Sequence, residues 1–156
     1  MLIELPSGTM YSDEFKDYIE KIDIPNLIGV YMKNELPRTL KTKECGILNL
    51  QPNTEQGTHW VCWMKIENTA FYFDSYGEPA DSTLRFHLKG LNIKRSAITV
   101  QHDSSKECGA LCLYVLYFLS KKVKFEDILF ALQKRYRKTL QSPLTINTRL
   151  TFNHSF

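Results

Sequence analysis

The stretch that most constrains this chain is Gln101–Ser120, QHDSSKECGALCLYVLYFLS. A short polar loop leads through Glu107, Cys108 and Gly109 into an apolar run, Ala110–Leu119, with no Gly or Pro inside it. A run that is apolar all round reads as a buried helix, here with a cysteine at its mouth. A helix N-terminus carries roughly +0.5 of an elementary charge and unpaired N–H groups, which favour a thiolate and leave donors free for an oxyanion. Cys108 therefore stands where a nucleophile would. A cysteine taken alone is more often a small buried hydrophobe, so its company has to decide. Cys112, one turn further on, shares the helix face and reads as packing.

The company comes from a second stretch, TEQGTHWVCWMKIENTAFYFDSYGEP. It reads as a strand Thr58–Ile66, a turn Glu67–Ala70 and a strand Phe71–Asp74, followed by a turn through Gly77 and Pro79. If Ile66 pairs with Phe71, Met64 faces Phe73 and Trp63 faces Asp74. Side chains alternate along a strand, so His59 and Asp74 then share one side of the sheet. That register leaves them about four residues apart, and contact requires a shifted turn or a bulge. A Cys at a helix start, a His at a strand start, an Asp on the next strand and Gln101, seven residues before the Cys, are the parts of a thiol protease. They are nucleophile, base, orienter and oxyanion donor.

The remaining elements follow from periodicity and breakers. Phe15, Tyr18, Ile19 and Ile22 mark an amphipathic helix from Ser12 to Ile22, with Ser12 as cap and Pro25 beyond its end. Leu27–Met32 and Cys45–Leu50 read as short strands on either side of the charged stretch Lys33–Lys43, and Gln51–Gly57 as a loop. Asp81–Lys89 predicts a helix capped by Asp81 or Ser82 and stopped by Gly90, and Ser96–Val100 a strand delivering Gln101. Lys121 and Lys122 close the central helix. Phe125, Ile128, Leu129, Leu132 and Tyr136 mark another amphipathic helix, and Leu144, Ile146, Leu150 and Phe152 alternate as a strand or an extended arm would.

At 156 residues, 43% hydrophobic and 24% charged, the chain is expected to be one domain over residues 1–156, with 141–156 as an extended C-terminal arm. The apolar run from Ala110 is far short of the ~20 residues a membrane span needs, and the start MLIELPSG lacks a signal segment, so no membrane partner is expected. Four cysteines without C-x-x-C spacing suit a reducing compartment better than disulfides or zinc, so no metal is expected. Net charge is +3, but 121–138 holds seven Lys or Arg against two acids, +5 there and −2 elsewhere. This basic stretch is either a contact for an anionic partner or a solvated helix face.

The motifs Gly57-Thr58-His59-Trp60, Tyr72-Phe73-Asp74-Ser75-Tyr76-Gly77, Gln101 and Cys108-Gly109 occur in the order His, Asp, Gln, Cys. Together they resemble those of adenain, the adenovirus-type maturation protease, and of the related SUMO-specific proteases. Leu27–Tyr31 and Cys45–Asn49 resemble the segments that precede the catalytic His in adenovirus-type enzymes, so the likeness covers roughly residues 12–135. The nearest look is to proteases of adenovirus-like viruses, virophages and Polinton-type elements. Asp74 stands where the better-known adenovirus enzymes have Glu, as it does in SUMO proteases.

The resemblance implies an α+β cysteine-protease fold, with a central Cys-bearing helix packed on a mixed β-sheet and flanked by helices. It implies that Cys108 attacks the peptide carbonyl, His59 takes and returns the proton and Asp74 orients His59. Gln101, with the Cys108 backbone N–H, holds the oxyanion, and Trp60 and Gly109 line the substrate cleft. No cofactor is required for this chemistry. Activation by DNA or by a peptide is left open, though no cysteine lies between Trp63 and Glu107 to tie a peptide by a disulfide. The implied substrates are capsid or core precursor proteins, cut beside small residues such as Gly by a monomer in the virion, the host nucleus or a cytoplasmic assembly site. Two alternatives remain: a protease for SUMO or ubiquitin-like modifiers, and an inactive binding module.

Overall fold

Twelve elements make up the computed structural model, which describes residues 1–54, 59–138 and 141–149. In chain order they are β1 (Leu2–Glu4), α1 (Glu14–Ile22), β2 (Leu27–Met32), a single 3₁₀ turn (Lys33–Glu35), β3 (Glu44–Asn49), β4 (Trp60–Ile66), β5 (Thr69–Phe73), α2 (Ser82–His87), β6 (Asn92–Arg95), α3 (Cys108–Ser120), α4 (Phe125–Tyr136) and β7 (Thr145–Asn147). The expected α+β class is the observed one: a mixed sheet in the order β2-β3-β4-β5-β6 with the Cys-bearing helix packed on it. β3, β4 and β5 are antiparallel neighbours, while β2 and β6 join the two edges in parallel.

Both faces of the sheet are covered, which is why β3 reads Glu-Cys-Gly-Ile-Leu-Asn with every residue buried rather than alternating. On one face Cys45, Ile47, Cys62, Met64 and Phe73 meet α3, whose residues from Cys108 to Leu119 are all buried. On the other face Leu48, Val61, Trp63, Ala70 and Tyr72 meet Ala80, Leu84 of α2 and Leu88 just past its end. Burying a Leu or Phe side chain is worth about 1.5–3 kcal/mol, so α3, threaded through the larger core, anchors everything laid on it.

Most expected boundaries hold within two residues. α1 starts at Glu14 after Asp13 rather than at a Ser12 cap, and Ser12 Oγ instead lies 3.9 Å from Met32 Sδ. Asp81 caps α2, accepting from Leu84 N–H at 3.0 Å, and α3 ends at Lys121 with Lys122 at φ 65°. The strand expected at Ser96–Val100 lies earlier, at Asn92–Arg95. The cause is Ser96, whose hydroxyl bonds both Asp74 N–H (3.1 Å) and Asp74 C=O (3.2 Å) and so replaces the ladder there. In the tail, Leu144 and Ile146 are buried and β7 pairs antiparallel with β1, a strand the sequence reading did not expect. Leu150 and Phe152, and Gly57 and Thr58 upstream of β4, lie outside the described residues.

Candidate active site

The hairpin decides whether His59 and Asp74 can meet. Ile66 pairs with Thr69 and Cys62 with Phe73, two residues away from the expected register. Glu67, with left-handed backbone at φ 55°, closes a two-residue turn, the tightest hairpin connection. Continued past β5, this ladder sets Asp74 across from Val61, two residues from His59 instead of four. His59 Nε2 then lies 2.7 Å from Asp74 Oδ1. The turn is shifted, which is one of the two ways contact could arise.

Asp74 is itself fixed. Its Oδ1 also accepts from Tyr76 N–H at 2.9 Å, its carbonyl accepts from Gly77 N–H at 2.8 Å, and it is 2% exposed. Tyr76 lies over the imidazole, ring centroids 4.9 Å apart and planes 29° from parallel. The ring therefore has a carboxylate on one edge and an aromatic wall on one face. Its side chain is 17% exposed.

Cys108 is the first residue of α3 and only 6% exposed. Its side chain shares a hydrogen bond with His59. With Nε2 taken by Asp74, the ring's Nδ1 is the nitrogen left for the sulfur. Burial pulls the imidazole's pKa down, but the hydrogen bonds and charges of Asp74 and Cys108 push it up to about 9. Two further core thiols are shifted upward. Burial pushes Cys45 up to about 12 and Cys112 well above the ordinary thiol range, with Cys62 adding to both. Neither is set up to ionise, in keeping with the packing role expected for Cys112.

Gln101, 3% exposed, lies in the connection between β6 and α3. Its Oε1 accepts from Ser75 Oγ at 2.6 Å and its Nε2 donates to Ser105 C=O at 3.0 Å. The loop 102–107 is tied to α4 from both ends: His102 stacks on Tyr136 at 4.3 Å, and Glu107 pairs with Arg135 at 2.9 Å. The start of α3 is thus pinned between sheet and α4.

Trp60 and Gly109 both lie buried beside the N-terminal segment. Trp60 is 2% exposed, donates from its indole N–H to Met10 C=O at 2.8 Å and meets Phe15 edge-on at 4.9 Å. It holds the N-terminal segment to the core, because alternation turns it to the α3 face. A Cβ on Gly109 would come within 2.9 Å of Phe15 Cζ and 3.0 Å of Met10 Sδ. Its lack of a side chain serves that close approach. Ser75 and Tyr76, which the sequence reading gave no role of their own, touch Gln101 and His59; their place directly after Asp74 was the available signal. Among the described residues no group of three His, Cys, Asp or Glu side chains is arranged to hold a metal ion.

No protein-family model matches this chain. It is 29% identical over 131 residues to the protease of Ovine adenovirus D serotype 7 (isolate OAV287), an alignment that takes in 71% of this chain and 65% of that protein. The chain thus spans a little under two thirds of that relative's length. Among solved structures it is similar to ASFV pS273R protease at a TM-score of 0.48, with 14% identity, over 81% of this chain and 65% of that one. The selenomethionine form of the same protease gives a TM-score of 0.47 with the same identity, 14%. The resemblance carried by the His, Asp, Gln and Cys motifs is matched by this alignment: in sequence, this chain is similar to an adenovirus protease.

Proposed function

We propose that this chain is a cysteine endopeptidase of the adenain type, acting on capsid or core precursor proteins. The observation that carries the reading is the hydrogen-bonded series from Asp74 through His59 to Cys108, with the sulfur on the first residue of a buried helix. In this reading Cys108 Sγ adds to the scissile carbonyl carbon, and the carbonyl electron pair moves onto oxygen. That oxygen accepts from the Gln101 side-chain amide and from the Cys108 backbone N–H. His59 carries the thiol proton and delivers it to the leaving nitrogen as the C–N bond breaks. Water, giving its proton to His59, then hydrolyses the thioester and frees Cys108. Asp74 keeps the ring turned to the sulfur throughout.

The test uses the whole chain and a peptide with Gly beside the scissile bond. Cys108→Ala should abolish cleavage, Cys112→Ala should leave most of it, and His59→Ala should be nearly as damaging as Cys108→Ala. Turnover by the Cys108→Ala chain would overturn the reading. Presenting capsid precursors and SUMO fusions side by side decides the substrate class, and cleavage of the fusions alone would move the assignment to a modifier protease.

A further inference from the structure

We propose that Ser75 is a positioning residue: its hydroxyl holds the Gln101 amide with the NH2 group turned towards the loop that leads into Cys108. The inference rests on the oxyanion role proposed above for Gln101. Ser105 C=O can only accept, so the side of the amide that faces it at 3.0 Å must be the NH2. The amide oxygen is then left on the far side, inside the protein, and requires a donor. Ser75 Oγ, itself 0% exposed, supplies one at 2.6 Å. A flipped amide would set Oε1 against the Ser105 carbonyl, acceptor to acceptor. Between Ser75 and Ser105 one orientation is selected, and the NH2 keeps a second hydrogen for the developing oxyanion.

The backbone fixes the same distance. Val100 N–H donates to Ser75 C=O at 2.8 Å, so the residue before Gln101 is bonded to the residue that holds its side chain. Asp74, Ser75 and Tyr76 thereby act in succession: the first bonds His59, the second bonds Gln101, the third stacks on His59. One turn at the end of β5 sets both the base and the oxyanion donor.

The experiment compares two reactions of Cys108 in the full chain. Hydrolysis of p-nitrophenyl acetate develops an oxyanion; alkylation by iodoacetamide, read at the Cys108 peptide by mass spectrometry, does not. Ser75→Ala should slow ester turnover by about tenfold or more, within the ~10²–10³ expected for losing the donor itself in Gln101→Ala, while alkylation stays close to wild type. The Ser75→Ala/Gln101→Ala chain should be no slower than Gln101→Ala, because nothing remains to be held. If Ser75→Ala fails to fold, Ser75→Cys, nearly the same size with a weaker donor, should show the same selective loss. Wild-type ester turnover in the Ser75 variants, multiplying losses in the double variant, or equal loss of both reactions would overturn the proposal. Ester turnover retained by Cys108→Ala would overturn the cysteine-protease reading instead.

Discussion

The carboxylate of Glu44 and the imidazole of His87 meet at 2.8 Å in the interior, on the sheet face opposite α3. Trp63 donates its indole N–H to the same carboxylate oxygen at 2.7 Å, Lys41 N–H donates to the other at 2.8 Å, and His87 Nδ1 lies 2.6 Å from Pro37 C=O. Four parts of the chain are closed over this face by one acid. Glu44→Ala would leave an indole, an imidazole and an amide without their acceptor, and breaking a buried pair in this way costs about 3–5 kcal/mol. Urea unfolding should show that loss, with alkylation of Cys108 in the folded fraction unchanged. A loss below about 1 kcal/mol, the worth of one ordinary hydrogen bond, would mean the network contributes little.

The raised value of His59 predicts a pH dependence with a definite sign. In the folded chain the imidazole titrates at about 9 against the ordinary 6.5. Its interactions therefore stabilise the fold in full below 6.5 and are lost as pH rises through about 9. Peptide cleavage should fall along the same alkaline limb, since a neutral ring has no proton for the leaving amine. Asp74→Asn removes the carboxylate charge and should move that limb to lower pH. An alkaline limb unmoved in Asp74→Asn would show that another group sets it.

What the sequence allowed to be read, and what it did not, divides along a physical line. Helices announced themselves through local pattern: the apolar run from Ala110 and the 3.6-residue spacing of Phe15, Ile19 and Ile22 need no tertiary partner to be seen. Register was harder, because a shift of two residues keeps every side chain on its face and so leaves the hydrophobic pattern unchanged. Only the Glu67 turn distinguishes the two pairings, and a Glu in left-handed backbone is not a standard turn signal. Parity could say that His59 and Asp74 face the same way; distance had to come from the fold. Trp60 and Gly109 sit beside His59 and Cys108 in sequence, but their packing against Met10 and Phe15 joins residues about 50 and 100 positions apart, which no local pattern signals. The Glu44–His87 pair joins residues 43 apart, and nothing in the order of residues signals such a contact.

The contact at Gly109 can be tested directly. Replacing Gly by Ala within a helix gains up to about 1 kcal/mol of propensity, but here the new methyl meets Phe15 at 2.9 Å and Met10 at 3.0 Å. Phe15 is wedged edge-on against Trp60, and the Met10 carbonyl is held by the Trp60 indole, so neither is free to withdraw. Overpacking of a filled core costs about 1–3 kcal/mol, and the crowding should win. Gly109→Ala should lower the midpoint of thermal unfolding; a variant as stable as wild type would mean that the N-terminal segment moves aside.

The basic stretch 121–138 supports a last prediction, sharpened by Arg135. Of its seven cations, Lys121, Lys122, Lys124, Lys134, Arg137 and Lys138 are exposed, whereas Arg135 is buried against Glu107. If DNA binds this stretch, only the six can release counterions, and the slope of log K against log salt due to them should be no steeper than about −5. Lys134→Gln should reduce the magnitude of the slope by about one and leave folding intact. Arg135→Gln should do the reverse: it strands Glu107, loosens the start of α3 and lowers stability, with the salt slope unchanged. DNA binding measured across a salt series for the two variants separates these outcomes. Equal slopes for wild type and Lys134→Gln would show that Lys134 makes no phosphate contact, and a slope reduced in Arg135→Gln would show that the ion pair opens on binding.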